Sequence, residues 1–127
     1  MKTANDLVAA AKNNITEVSI EALRASLGQN PIVIDVREPG EYANGHVPKA
    51  INIPRGVLEF QIDGHPAINN CLSEQQNLRD QPIYLYCRTG GRSALAAESL
   101  QNLGFNQVIS VAGGFVEWEK AGFERVE

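Results

Sequence analysis

The residues best suited to chemistry lie in one short stretch, Ile83 to Ser93, which has the sequence IYLYCRTGGRS. The thiol of Cys87 is a nucleophile when it ionises, and the guanidinium groups of Arg88 and Arg92 follow it closely in the chain. Nearby cations favour the thiolate over the thiol, so this spacing predicts a reactive cysteine beside an anion site. A buried, inert thiol is the alternative.

A strand, a tight loop and a helix are needed to position these residues. The run Ile83–Tyr86 has the length and composition of a buried strand, and the segment that begins at Ser93 has strong helix propensity. Loop amides and the helix N-terminus would then converge beside Cys87. A helix terminus stabilises a nearby anion by only about 0.3–1 kcal/mol. Hydrogen bonds from the loop must therefore add to it, and Gly90 and Gly91 let the backbone approach.

Three separated motifs resemble those of the rhodanese (sulfurtransferase) superfamily, and together they cover about residues 16–123. They are Cys87-x-x-Gly90-x-Arg92-Ser93, the upstream segment DVREPGEYANGHVPKAINIP from Asp35 to Pro54, and the closing Gly113-Gly114-Phe115-x-x-Trp118. The resemblance implies a three-layer α/β fold with a five-stranded, mainly parallel sheet and helices on both faces. Because one copy of the motif set is present, we expect a single domain over residues 1–127, with residues 1–15 as a helical extension.

The resemblance also implies an activity, sulfur transfer through a persulfide on Cys87. The expected donor is thiosulfate or a persulfide, and the expected acceptor is cyanide in an assay or a thiol or protein in the cell. Asp35 and Arg37 would support the active-site loop, and no metal or organic cofactor is implied. The loop residues expected to bind the donor and stabilise the persulfide are Arg88, Thr89, Gly90, Gly91, Arg92 and Ser93.

The two arginines have different expected roles. Arg92 is predicted to close the loop and to point its charge or its backbone amide at the site. Arg88 either contacts the incoming donor anion or is a solvated side chain.

Two other functions remain as alternatives. A phosphatase or arsenate reductase also surrounds an anion with a cysteine and an arginine, but such loops resemble Cys followed by five residues before the arginine, whereas four separate Cys87 from Arg92. The smaller ring suits one sulfur atom better than a tetrahedral oxyanion. A non-enzymatic interaction module with this fold is the second alternative, and the presence of Cys87 argues against it.

Other polar residues have simpler interpretations. Asp35 and Arg37 share one face of a predicted strand near its carboxyl end, where buried charges are normally paired. His46 is either a general base or a hydrogen-bonding scaffold residue, and sulfur transfer favours the scaffold because it abstracts no proton from carbon or water. Cys71 is either a resolving thiol or, more simply, a small hydrophobe.

Composition limits the partners. The 127 residues carry a net charge of −4, and basic residues do not cluster beyond Arg88 and Arg92, so a small anion is a better ligand than nucleic acid. The apolar run at residues 7–11 is too short for a secretory signal or a membrane span. With only two cysteines and a thiolate-based function, the sequence favours a reducing compartment, the cytoplasm.

The remaining pattern alternates strands and helices, which predicts a parallel sheet covered on both faces but not its strand order. Strands are expected at 17–19, 31–37, 50–53, 83–86 and 107–111, and helices at 6–12, 19–27, 38–45, 93–103 and 115–121. The first helix has Asp6 as its expected cap, and the fourth buries Ala94, Leu95, Ala97, Leu100 and Leu103. Residues 54–80 are less regular, with helical turns expected at 55–62 and 72–78.

Overall fold

The computed structural model describes residues 2–127, which form a five-stranded sheet with the order β1-β5-β4-β2-β3. The strands are β1 (Thr16–Val18), β2 (Ile32–Asp35), β3 (Ile51–Asn52), β4 (Ile83–Tyr86) and β5 (Val108–Val111). Every neighbouring pair is parallel. The predicted α/β fold with five strands is therefore confirmed, and the short strand predicted at 17–19 is found as the edge strand β1.

Helices cover both faces of this sheet. They are α1 (Ala4–Lys12), α2 (Ile20–Ser26), α3 (Pro39–Ala43), α4 (Leu58–Gln61), α5 (Pro66–Asn69), α6 (Gly91–Asn102) and α7 (Gly114–Lys120), with single 3₁₀ turns at Leu27–Gln29, Arg55–Val57 and Leu78–Asp80. One apolar cluster joins Ile34 and Leu85 to α4, α5 and α6. A second joins Val33 to α2 and α7, where Trp118 is buried. Alternate strand residues therefore point into different cores.

The first helix begins earlier than predicted, and its cap is Thr3 rather than Asp6. The Thr3 side chain accepts from the Asp6 amide, and Asp6 accepts from the Thr3 amide, which is a reciprocal capping box. Asp6 is thus the third helical residue of α1. The helix packs along α6, and Val8 lies beside Gly91 at the start of α6.

The buried stripe of α6 differs from the prediction at two leucines. Leu95 is only partly buried and Leu103 is 41% exposed. The helix begins two residues before the expected start and ends at Asn102, so Leu103 is its C-cap rather than a residue of its buried face. The stripe instead consists of small side chains that bring the helix close to the sheet, with one larger anchor: Ser93, Ala94, Ala96, Ala97 and Leu100.

Residues 54–80 are partly as predicted. Leu58 and Ile62 from the first helical turns are fully buried. The helical turn expected at 72–78 is wrong, because residues 72–77 are turn, bend or irregular and only Leu78 begins a 3₁₀ turn. The helix lies earlier, at α5, where Pro66 occupies the first turn and Ile68 is the fully buried anchor. Within residues 2–127, no helix has the length and apolar character needed to span the bilayer.

Candidate active site

Cys87 directly follows β4 and is only 1% exposed. Its Sγ accepts from the backbone N–H of Gly90 at 3.1 Å and from that of Ser93 at 3.4 Å. Gly90 caps α6 with φ 116°, a conformation that favours glycine. The strand, loop and helix N-terminus thus converge on the sulfur in the predicted order, and their amides present positive polarity to it.

A pair of buried hydroxyls lies beneath the sulfur. Ser93 Oγ is 3.7 Å from Cys87 Sγ, 3.3 Å from Gly90 O and 2.9 Å from Ser110 Oγ. Both serines are fully buried. Ser110 was not predicted as a site residue, because its only signal in the sequence is a serine inside the apolar strand β5.

The first turn of α7 holds the backbone of the loop. The amide of Phe115 donates to Cys87 O at 2.9 Å, and that of Val116 donates to Arg88 O at 3.0 Å. Gly114 has φ 55°, and a Cβ there would lie 2.5 Å from Cys87 O and 2.6 Å from Arg88 O. The glycine therefore allows α7 to approach the active-site loop, a contact that the closing motif did not predict.

Arg92 is anchored to α3 rather than aimed directly at the sulfur. Its guanidinium donates to both carboxylate oxygens of Glu41, at 2.8 and 3.1 Å. The hydrogen bond from Arg92 is the main reason why the pKa of Glu41 falls to about 2. The same hydrogen bond is the largest influence on Arg92, whose pKa is raised, and the charge of Cys87 has a smaller effect in the same direction. Arg92 thus fastens the loop to α3 and contributes its charge through space.

Asp35 and Arg37 form a buried pair at the carboxyl end of β2. The guanidinium donates to Asp35 Oδ2 at 2.7 Å and to Gly45 O at 2.7 Å, and the Arg37 amide donates to Asp35 Oδ1 at 2.9 Å. Burial opposes the charged form of Arg37, but the hydrogen bonds and charge of Asp35 outweigh it and raise its pKa. Asn52 fixes the strand end by donating to the carbonyls of both residues. The pair therefore lies at the end of β2, where Asp35 is the strand partner of Tyr86, the residue before Cys87.

A cleft of ≈ 220 Å³ opens beside the loop. Arg88 is exposed, and among residues 2–127 it forms no ion pair. The two glutamates of the wall are paired, Glu41 with Arg92 and Glu119 with Arg125. The cleft is lined by Arg37, Glu41, Asn44, Gly45, Arg88, Phe115, Val116 and Glu119. The exposed Arg88 therefore lines this cleft next to its neighbour Cys87, which is buried and is not itself among the lining residues.

The other candidate residues lie in scaffold positions or away from Cys87. His46 stacks on Tyr42 with ring centroids 3.6 Å apart, and its Nδ1 is 3.0 Å from Tyr42 O. Thr89 is exposed on the loop. Cys71 is exposed and lines a cavity with Pro31 and Pro82, at the amino ends of β2 and β4. Across residues 2–127, no group of three or more His, Cys, Asp and Glu side chains could hold a metal ion.

Comparison with known proteins gives a consistent picture. A family model described as rhodanese-like domain matches residues 19–121. A sulfurtransferase from Allochromatium vinosum is 26% identical over 110 residues, covering 85% of this chain and 92% of that protein. The human thiosulfate:glutathione sulfurtransferase is 33% identical over 104 residues, covering 80% of this chain and 90% of that protein. Two Bacillus subtilis relatives are longer, and this chain spans 52% and 59% of their lengths.

The fold of one solved structure aligns with nearly the whole of this chain. A protein of unknown function from Rhodopseudomonas palustris, for which tyrosine phosphatase activity has been suggested, is 29% identical and aligns with a TM-score of 0.79. The alignment covers 98% of this chain and 94% of that one.

Proposed function

Because this chain belongs to the rhodanese-like domain family, we propose that it is a sulfurtransferase that carries a sulfane sulfur on Cys87. One observation supports this above all: the sulfur of Cys87 is buried and accepts hydrogen bonds from two backbone amides at the start of α6. Amide donors stabilise an anionic sulfur without providing a proton acceptor. The same surroundings suit a thiolate before loading and a persulfide after it.

In the loading step, the Cys87 thiolate attacks the outer sulfur of thiosulfate or of a persulfide donor. A bond forms between Sγ and that sulfur, the sulfur–sulfur bond of the donor breaks, and sulfite or the donor thiolate leaves with the electron pair. Arg88 at the rim of the cleft is the side chain we assign to the donor anion. Gly90, Gly91 and Ser93 shape the pocket for the outer sulfur, while Arg92, Asp35 and Arg37 hold the loop in place.

In the unloading step, a thiolate or cyanide attacks the outer sulfur, and Cys87 leaves as a thiolate. A protein thiol can serve as well as a small one, since the chemistry is the same displacement. The name of one relative supports a small-molecule donor and a small-molecule acceptor, because the human relative is called a thiosulfate:glutathione sulfurtransferase. The thiolate and the persulfide of Cys87 must both persist through the cycle without disulfide formation, so we assign the protein to a reducing compartment such as the cytoplasm.

Phosphate-ester hydrolysis is the rival activity, suggested for the protein from Rhodopseudomonas palustris. Bidentate binding of a phosphate by arginine needs a guanidinium open to the ligand. Here the Arg92 guanidinium is bound to Glu41 through two hydrogen bonds, and only four residues separate Cys87 from Arg92. These features favour a single sulfur atom over a tetrahedral oxyanion.

The decisive experiment is to incubate the protein with thiosulfate and measure its mass by mass spectrometry. We expect the mass of one sulfur atom to be added at Cys87 and removed by cyanide as thiocyanate, with both events lost in Cys87→Ser. If no sulfur is added and Cys87→Ser leaves thiocyanate formation unchanged, the sulfur-relay function is wrong. Phosphate-ester hydrolysis that depends on Cys87 would instead establish the rival activity.

A further inference from the structure

We propose that Ser110 is a positioning residue for Cys87, acting through Ser93 to supply a third hydrogen bond to the sulfur when it carries no proton. The inference rests on the proposed function, in which the sulfur of Cys87 is the reacting atom. It concerns a residue of β5 that lies outside the loop and whose side chain hydrogen-bonds to Ser93 rather than to the sulfur.

The direction of the hydrogen bond between the two serines follows from burial. Ser110 is fully buried, and within residues 2–127 its Oγ has one partner, Ser93 Oγ at 2.9 Å. A buried hydroxyl proton without an acceptor is unfavourable. Ser110 therefore donates its proton to Ser93, and Ser93 accepts.

Because Ser93 accepts from Ser110, its own proton must go elsewhere. Two acceptors are within reach, Gly90 O at 3.3 Å and Cys87 Sγ at 3.7 Å. While Cys87 is a thiol, its proton can point at Ser93 Oγ and the Ser93 proton points at Gly90 O. The hydroxyl of Ser93 thus has two orientations with Ser110 as a fixed donor behind it.

Loss of the thiol proton to solvent, or formation of a bond from Sγ to an outer sulfur, leaves Sγ only as an acceptor. Rotation of the Ser93 hydroxyl then directs its proton at Sγ, while Ser93 still accepts from Ser110. The sulfur would receive three donors, this hydroxyl and the amides of Gly90 and Ser93. Chains of hydrogen bonds strengthen one another at low dielectric, so Ser110 should increase the donor strength of Ser93.

The test uses a double-mutant cycle in the Cys71→Ser background, where Cys87 is the sole thiol. The readout is the rate of Cys87 alkylation by iodoacetamide at pH 7 for Ser110→Ala, Ser93→Ala and the double variant. We expect each single variant to slow alkylation by about threefold. Each variant removes or weakens the hydrogen bond from the Ser93 hydroxyl to the sulfur, which is one of three. The double variant should be no slower than Ser93→Ala, because Ser110 acts only through Ser93.

A truncation on the same strand is the matched control. Val108 is 4% exposed and belongs to the same apolar cluster as Cys87. Val108→Ala should therefore lower the melting temperature and leave the alkylation rate unchanged. An unchanged rate in Ser110→Ala, additive slowing in the double variant, or equal slowing in Val108→Ala would overturn the role of Ser110. Alkylation requires no sulfur donor, so failure to load sulfur would contradict the proposed function without affecting this result.

Discussion

At the position of Gly114, any side chain would collide with the backbone of the active-site loop. The Cβ of Gly114→Ala would lie 2.5 Å from Cys87 O, and the left-handed φ of 55° adds strain. We expect the free energy of unfolding to fall by about 1–3 kcal/mol, as for other overpacked sites. Displacement of the loop should slow sulfur loading by on the order of a hundredfold. Urea denaturation and the loading rate with thiosulfate measure the two effects.

Gly28 provides the control for this prediction. It also lies in a tight turn, but a Cβ there meets nothing within 4 Å and its φ lies outside the left-handed region. Gly28→Ala should therefore retain both stability and loading rate. Similar losses in the two variants would show that the close approach of α7 to the loop is unimportant.

Arg88 allows a prediction about donor binding. Its guanidinium is exposed and lines the cleft, so Arg88→Gln should raise the KM for thiosulfate by about three- to tenfold while kcat changes little. Lys120→Gln makes the same change in net charge at a side chain that is 70% exposed on α7, and it should leave KM unchanged. Equal KM values for Arg88→Gln and the unmodified protein would indicate that Arg88 is only a solvated residue.

At the scale of elements, α3 and the active-site loop are joined by the ion pair between Glu41 and Arg92. The pKa of Glu41 is lowered from 4.5 to about 2, chiefly by the hydrogen bond from Arg92. A carboxyl with a depressed folded-state pKa contributes stability above its unfolded pKa and loses that contribution as the pH falls through the folded value. Both side chains are about one-third exposed, so the contribution should be about 1 kcal/mol at most.

Comparison of Glu41→Gln with the unmodified protein by urea denaturation between pH 2 and 7 tests this pair. The difference in free energy of unfolding should be full above about pH 5 and vanish near the lowered pKa of about 2. Glu74→Gln is the control, because Glu74 is exposed and forms no ion pair with residues 2–127. A difference that is constant from pH 7 to pH 2 would contradict the electrostatic explanation.

The buried pair at the end of β2 predicts strong coupling between its members. Arg37→Met leaves the Asp35 carboxylate buried without its partner and should lower the free energy of unfolding by about 3–5 kcal/mol. In Asp35→Asn/Arg37→Met, the uncompensated charge is absent, so the loss should be smaller than in Arg37→Met alone. Urea denaturation of the single and double variants measures this. Additive losses would mean that the two side chains contribute independently.

The elements also show what the sequence could and could not predict. The strand, loop and helix around Cys87 follow from local propensity and from glycines at the turn, so their order was predicted correctly. Arg92 was predicted to close the loop and to point its charge or its backbone amide at the site, but its partner Glu41 was not predicted, because Glu41 lies far away in sequence on α3. Ser110 was missed for the same reason, since only the pairing of β4 with β5 brings it under the loop. Long-range partners need the tertiary fold, which a local pattern does not encode.

At the scale of the whole molecule, the sheet order determines which residues meet. The β1-β5-β4-β2-β3 order sets β4 between β2 and β5, so Cys87 is flanked by the Asp35–Arg37 pair on one side and by Ser110 on the other. Strand order was not predictable, because each strand is a short apolar run and nothing local selects its neighbours. The alternation of strands and helices predicted only that the sheet is parallel.

The same sheet separates the two cysteines. Cys87 follows the carboxyl end of β4, whereas Cys71 lines a cavity with Pro82 at its amino end. A four-residue strand spans roughly 13 Å, and a disulfide requires Cα atoms within about 7 Å. Cys71 therefore cannot resolve a persulfide on Cys87 without rearrangement of the core.

We accordingly expect Cys71→Ser to retain normal turnover with thiosulfate and normal unloading by thiols. Mass spectrometry of the loaded protein after mild oxidation should show no disulfide between the two residues, since they lie at opposite ends of β4. Ala25→Ser, a similar small change at an exposed helix position, is the control for turnover. Slower unloading in Cys71→Ser, or an internal disulfide in the unmodified protein, would restore the resolving-thiol hypothesis and require the sheet to open during the cycle.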